Sequence, residues 1–253
     1  LTSKYVFRIL IAIGISFNVF AKHDFIVNGG LGFAPATLGS KETKILPSLG
    51  FILNYENKLE LSLGEVKAKL FSNEKFNFGL NLGIEEGRKR KQDEEMLEGI
   101  EDIPFMGAFG LFANYKIGNF VFEAKGKSLF SKRLKSFKSE ISLGYVKLVN
   151  QKIILQNGFL FSFYESKLMD EFFGISEKES LESGLSAYSV RKFSLASIHF
   201  NSSVAYILNK KTFITLGGSY YIFSKDAKNS PLIKERGKSD GFSIALSLAY
   251  KIK

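Results

Sequence analysis

Residues 241–251 read GFSIALSLAYK. Phe242, Ile244, Leu246, Leu248 and Tyr250 share one parity, and Ser243, Ala245, Ser247 and Ala249 the other. Successive side chains of an extended chain point to opposite faces, so this stretch is a strand with one apolar face and one small, polar face. Moving upstream, the pattern repeats. In 196–208, Ile198, Phe200, Val204, Tyr206 and Leu208 oppose Ser197, His199, Asn201 and Ser203. In 140–146, Ile141, Leu143 and Tyr145 oppose Glu140, Ser142 and Gly144. In 119–127, Phe120, Phe122 and Ala124 oppose Glu123, Lys125 and Lys127.

Further strands are predicted at 25–34, 46–55, 58–63, 66–71, 76–86, 103–115, 152–163 and 212–223. The apolar phase switches near Gly64–Glu65, from Leu59, Leu61 and Leu63 to Val66, Ala68 and Leu70. A turn or a bulge would explain the switch. A turn brings the strands to twelve; a bulge gives an odd number, which a bacterial barrel should not have, and ten is the alternative. Tight hairpins are expected at Glu56–Asn57, Ile117–Gly118, Asn150–Gln151 and Asn209–Lys210. Longer connections fall at 35–45, 87–102, 164–192 and 224–240, with a short helical turn around Leu168–Phe172.

The fold expected is all-β: a transmembrane antiparallel β-barrel with short periplasmic turns and longer external loops. Half-polar strands of about ten residues match a tilted crossing of a thin bilayer. Their edges must close, because unpaired backbone groups are costly in hydrocarbon. Aromatics near strand ends (Phe51 and Tyr55, Tyr115, Phe163 and Tyr164, 220–223, Tyr250) read as interfacial girdles. The alternative is a soluble sandwich or lipocalin-like barrel with those aromatics in its core.

Residues 1–21, LTSKYVFRILIAIGISFNVFA, read as a cleaved signal peptide of the Sec type. Lys4 and Arg8 form the basic start, 9–20 the apolar run, and Val19 and Ala21 the small residues before the cut. That run is too short for a spanning helix. Residues 22–253 would then form a single barrel in the Gram-negative outer membrane. Losing Lys4 and Arg8 lowers the formal charge from +10 to +8. The chain has no Cys, which removes disulfides and thiolate chemistry. Its lysines are spread along the chain without a nucleic-acid-binding module, so no nucleic-acid partner is expected.

No residues assemble into a catalytic or cofactor signature. His23 and His199 are far apart, Ser176, Ser183, Ser186 and Ser189 have no histidine nearby in sequence, and no nucleophile elbow, zinc motif or phosphate loop is present. The expectation is no enzymatic activity, no cofactor and no bound metal. Asp93, Glu94, Glu95, Glu98, Glu101 and Asp102 form an acidic group whose spacing fits no calcium loop. Arg88, Lys89, Arg90 and Lys91 precede it and are expected to pair with it at the surface. Asp102 and Asp226 are expected to anchor loops by accepting backbone N–H bonds, with Pro231 setting the approach to the last strand. Glu123, Lys125, Lys127, His199 and Asn201 are the candidate lumen-facing residues.

The long connections carry words that strand periodicity does not explain: GRKRKQDEEMLEGIEDI at 87–103, MDEFFGIS at 169–176 with SGLSAYS at 183–189, and KDAKNSPLI at 225–233. Together they resemble the MipA/OmpV family, the MltA-interacting proteins. Gly87, Arg88, Leu97, Gly99, Ile100, Asp102 and Ile103 match its acidic loop. Asp170, Phe172, Phe173, Gly174, Ile175 and Ser176 match its second word, and Asp226, Ala227, Ser230, Pro231, Leu232 and Ile233 its third. The chain departs from the family in ending on Tyr250–Lys251–Ile252–Lys253 rather than on an aromatic residue. The resemblance implies a monomeric outer-membrane barrel in contact with membrane lipid and lipopolysaccharide. It also implies a scaffold joining a lytic murein transglycosylase to a murein synthase. A narrow porin-like channel for small solutes or ions is the alternative function.

Overall fold

The computed structural model describes residues 23–252; the expected signal peptide lies outside the described residues. Twelve antiparallel strands close into a barrel in which each strand pairs with its sequence neighbours and β1 meets β12. They are β1 (His23–Pro35), β2 (Thr43–Tyr55), β3 (Leu59–Ser62), β4 (Glu65–Ser72), β5 (Phe76–Glu85) and β6 (Met106–Ile117), then β7 (Phe120–Phe130), β8 (Lys135–Asn150), β9 (Ile153–Tyr164), β10 (Ser194–Ile207), β11 (Thr212–Phe223) and β12 (Asp240–Lys251). The phase switch at Gly64 is a turn. Leu63 and Gly64 separate β3 from β4, and the glycine takes φ 85°, a left-handed conformation that disfavours other residues.

The apolar parity faces outward. In β12, Leu246 and Leu248 are 56% and 51% exposed, whereas Ala245 and Ser247, on the opposite parity, are each 4% exposed. This inverts the pattern of a soluble barrel and leaves a wall of Leu, Ile, Val and Phe that only lipid can cover. A strand of about twelve residues extends roughly 40 Å, and a tilt of about 45° brings it near the thickness of the hydrocarbon. Exposed aromatics ring the short-turn end (Tyr55, Phe71, Tyr115, Phe120, Tyr206, Tyr250) and the loop end (Phe33, Phe109, Phe130, Phe137, Phe193, Phe242). Tyr164, Tyr221 and Phe223, expected in the girdle, are instead buried on the inward parity. Doublets such as Tyr220–Tyr221 put one ring on each face, and only the outward one can join a girdle.

Connections do not alternate strictly in length. Turns at one end are short, as expected: 56–58, 73–75, 118–119, 151–152 and 208–211. The other end carries the long loops but also two short links, 63–64 and 131–134. The helical turn expected near Leu168 is α1 (Ser166–Phe173). Two further α-helices appear in the loops, α2 (Glu177–Ser183) and α3 (Lys225–Lys228), beside short helical turns at Arg90–Gln92 and Leu232–Arg236. The start of α2 is encoded locally. The Ser176 side chain accepts the N–H of Glu179, and the Glu179 carboxylate accepts the N–H of Ser176, a reciprocal capping box.

Candidate functional site

Two assemblies occupy the inside of the barrel. The first is a charged ladder on one wall of the lumen. Alternation aims Glu60, Glu65, Lys67, Glu85, Glu123, Lys125, Lys127, Lys138 and Glu140 inward from β3, β4, β5, β7 and β8. Lys125 lies 3.2 Å from both Glu65 and Glu123. Lys127 lies 2.9 Å from Glu85, 3.4 Å from Glu65 and 3.5 Å from Glu140. Lys138 closes the far end, 2.9 Å from Glu85 and 2.8 Å from Glu140, and Lys67 the near end, 3.1 Å from Glu123. Strand β6 runs between the two groups. Its inward residues at this level are the small Ala108 and Gly110 and, opposite Lys125, the buried Phe112, over whose ring the Lys67 ammonium stands 5.5 Å from the centroid.

The opposite wall is built from small residues. Asn28, Asn201, Ala205, Thr215, Ser247 and Ala249 face the ladder across a cavity of about 460 Å³. Asn201 Oδ1 is buried there with no hydrogen-bond partner among the described residues. His199 Nε2 lies 3.0 Å from Ser197 Oγ, and the imidazole sits 5.6 Å from the Tyr221 ring, beneath the loops. Of the five candidate lumen residues, Glu123, Lys125 and Lys127 belong to the ladder, while His199 and Asn201 stand on the facing wall.

The second assembly is a cap. The long loops fold over their own end of the barrel and share a hydrophobic core with the inward residues of the strand tops. Met96, Leu97, Ile100 and Ile103 come from the loop after β5, and Leu168, Met169, Phe173, Ile175, Leu185 and Val190 from the loop after β9. Ala227, Leu232 and Ile233 come from the loop before β12, and Met106, Leu129, Tyr164, Tyr221 and Phe223 from the strands. Met169, Ala227 and Leu232 are wholly buried. Burying a side chain of this size contributes about 1.5 to 3 kcal/mol, so a core drawn from three loops holds them as one body.

The family words of the sequence map onto this cap. Gly87 lets the chain pass against Ile103, whose carbonyl oxygen a Cβ would overlap; the backbones of Arg88 and Ile103 then bond to each other. Gly99, at φ 71°, lies on the end of α2, where a Cβ would come within 2.6 Å of the Glu182 backbone. Asp170 accepts the N–H of Val190 at 2.5 Å and the hydroxyl of Ser189 at 3.1 Å. Gly174 ends α1 by donating its N–H to the Asp170 carbonyl. Asp102 accepts the N–H of Arg90 at 2.6 Å, as expected of a loop anchor.

Asp226 anchors differently from the expectation. Its carboxylate takes the Ser194 hydroxyl at 3.0 Å and the Lys192 ammonium at 3.2 Å rather than a backbone N–H, because α3 turns it toward the top of β10. Pro231 does not adjoin the last strand. It follows the buried Ser230 and opens a helical turn, Leu232–Arg236, that precedes β12.

The basic run does not pair as a block with the acidic run. Arg88 turns inward, is buried, and donates to the Phe172 carbonyl at 2.7 Å; burial lowers its pKa to about 10. Asp93 reaches Ser40 at 2.5 Å, and Glu101 reaches Arg133 at 2.6 Å and Lys178 at 3.1 Å. Asp93, Glu101 and Asp102 therefore point to separate partners. Among the described residues no three or more His, Asp or Glu converge on a metal position.

The profile of the family described as MltA-interacting protein MipA matches residues 27–252, nearly all of the described chain. The chain belongs to the MltA-interacting protein family. A "24 kDa outer membrane protein" of Pasteurella multocida (strain Pm70) is 26% identical over 219 residues, covering 83% of each chain. Among solved structures, a loop-deletion form of OmpT, an outer membrane protein of Vibrio cholerae, aligns with 90% of this chain and 98% of its own at 10% identity and a TM-score of 0.41. An anion-selective porin from Comamonas acidovorans aligns with 91% of this chain and 98% of its own at 8% identity and a TM-score of 0.37. This MltA-interacting protein family member is an outer-membrane β-barrel, and its family words are the parts that build the cap.

Proposed function

We propose that this barrel works by binding other envelope components, as a non-enzymatic, monomeric scaffold for murein-remodelling enzymes held in the outer membrane. The name of the family, MltA-interacting protein, supports a protein partner. The observation that carries the reading is the charge of the short-turn rim. Lys58, Lys75, Lys116, Lys152, Lys210 and Lys211 stand on or beside those turns, against Glu56 and Glu74. Short turns face the periplasm in barrels of this kind, so the rim presents ammonium groups toward the murein layer. Such a surface suits an acidic face on a periplasmic lytic transglycosylase or synthase. The outer wall and the loop end would meet lipid and lipopolysaccharide, and the segment 1–21 would direct export through the Sec pathway before removal.

Crosslinking in cells followed by purification of the barrel should recover a murein transglycosylase or synthase. The double substitution Lys210→Glu and Lys211→Glu should lower recovery while the barrel keeps its heat-modifiable migration on gels. Reproducible absence of any murein enzyme from the intact barrel would overturn the reading. The lumenal cavity favours a second reading, a narrow channel for small solutes or ions.

A further inference from the structure

The barrel wall is not paired over its full height. Strand β2 has 13 residues, yet β3 covers only Ile52–Tyr55. Residues 43–51 pair with β1 on one side and, among the described residues, with no strand on the other. Pro47 sits in the middle of this run. Proline has no N–H to give a ladder and belongs on an edge, so the sequence of β2 itself treats this stretch as one. The opening is framed on every side. Below it is the Leu63–Gly64 turn, tied to β5 by the Ile84 N–H donating to the Gly64 carbonyl at 2.9 Å. Above it, Lys44 donates to the Gln92 carbonyl at 2.7 Å and Ser40 to Asp93, so the loop after β5 bridges across to β2.

The same cavity that lies against the ladder reaches the lower corner of this frame, whereas Leu46 and Ser48 higher on β2 are buried and do not line it. Its lining joins the lumenal Glu65, Glu85 and Lys127 to Phe51, Leu63 and Ile84 at the opening. An apolar rim on the lipid side thus leads to a charged interior, while the external mouth is filled by the cap. We propose that this opening is a lateral portal through which a single-chain zwitterionic lipid places its headgroup among the ladder charges and leaves its acyl chain in the membrane.

The charge pattern selects the headgroup. Every lysine of the ladder has a carboxylate within 3.2 Å and the two signs nearly balance, so a lone anion or cation would leave a partner uncompensated in a confined space. A head bearing both an ammonium and a phosphate exchanges with the pairs and leaves neither sign in excess. The amide of Asn201, on the facing wall, offers an unengaged acceptor for the ammonium. This inference stands apart from the scaffold reading, which concerns the opposite end of the barrel.

The absence of Cys makes single-cysteine variants unambiguous. Cysteines are placed on the frame, Leu49→Cys and Ile84→Cys, and on the far wall, Leu216→Cys, all at lipid-facing positions. Each folded, heat-modifiable variant is left free or blocked with a bulky maleimide. It is then loaded with lysophosphatidylethanolamine, lysophosphatidylglycerol or monoacylglycerol of one chain length, and retained adducts are counted by native mass spectrometry. The zwitterionic lipid should be retained as one adduct in preference to the other two. Blocking at position 49 or 84 should lower its retention by about tenfold or more, equivalent to roughly 1.4 kcal/mol, and blocking at 216 should leave it unchanged. Equal retention of the three lipids, no adduct on the unblocked barrel, or equal loss on blocking at 216 would each overturn the portal.

Discussion

Lys127 illustrates what a single side chain does in this lumen. It stands on β7 with Glu65, Glu85 and Glu140 all within 3.5 Å, so it compensates three carboxylates from three other strands. Truncating one member of a poorly solvated ion network costs about 3 to 5 kcal/mol, because the remaining charges lose their partner. Lys127→Met should therefore lower the denaturant midpoint of the folded barrel markedly. Glu140→Gln alone should also destabilise. The double variant should lose less than the sum, since each substitution removes part of the imbalance left by the other. Urea titrations followed by gel migration measure all three, and strict additivity would show that the two groups act independently. The inward direction of Lys127 was legible from parity in 119–127. Its partners were not, because Glu65, Glu85 and Glu140 arrive through closure of the barrel and nothing in their spacing along the chain brings them to one wall.

At the scale of elements, the strands and the cap differed in how openly the sequence announced them. A strand repeats its signal every second residue, so β10, β11 and β12 could be placed almost to their ends. Strand β8 runs from Lys135 to Asn150, beyond the alternation seen in 140–146 at both ends; at the later end Lys147, Leu148 and Val149 are all exposed and break the period. The cap has no period. Its residues come from three loops and from strand tops, and Tyr164, Tyr221 and Phe223 carry the same residue types as a girdle. Family words marked its parts, while α2 was readable only through Ser176 and Glu179. Because the cap has its own core, it should fail separately from the barrel. Met169→Ala removes a wholly buried side chain, and core truncations of this kind cost about 2 to 5 kcal/mol. Limited proteolysis should then cut within 165–193 while the strands stay protected. Acid should act similarly through Glu101, whose hydrogen bond to Lys178 and proximity to Arg133 hold its pKa below the ordinary carboxylate range. A depressed carboxylate stabilises the fold above its unfolded pKa and loses that contribution as pH falls through its folded value. Cleavage near α2 should therefore rise as pH drops below about 4. Glu101→Gln should show the higher cleavage already at neutral pH and lack this contribution to the rise; an unchanged pH profile in that variant would assign the effect elsewhere.

For the molecule as a whole, an outward apolar face on twelve strands says that the chain sits in a membrane, but not whether anything crosses it. Parity alone made an open channel and a closed barrel equally reasonable, since both need a polar lumen. The cap and the ladder separate them. A path for ions would have to pass loops held together by Met96, Leu97, Met169, Phe173, Leu232 and Ile233, and then a wall whose lysines already have carboxylates as neighbours. Planar bilayer recordings of the purified barrel should accordingly show no steady conductance. Substituting Leu97, Met169 and Leu232 together by Ser should loosen the cap by burying hydroxyls without partners, at a cost of about 1 to 3 kcal/mol for each unsatisfied group. Currents should then appear, and their ion selectivity should change when Lys125→Glu is added, because that reversal sets three carboxylates, those of residues 65, 123 and 125, within one short span of the lumen. A steady current from the unaltered protein, sensitive to the same reversal at Lys125, would instead establish the channel reading and make the cap a gate.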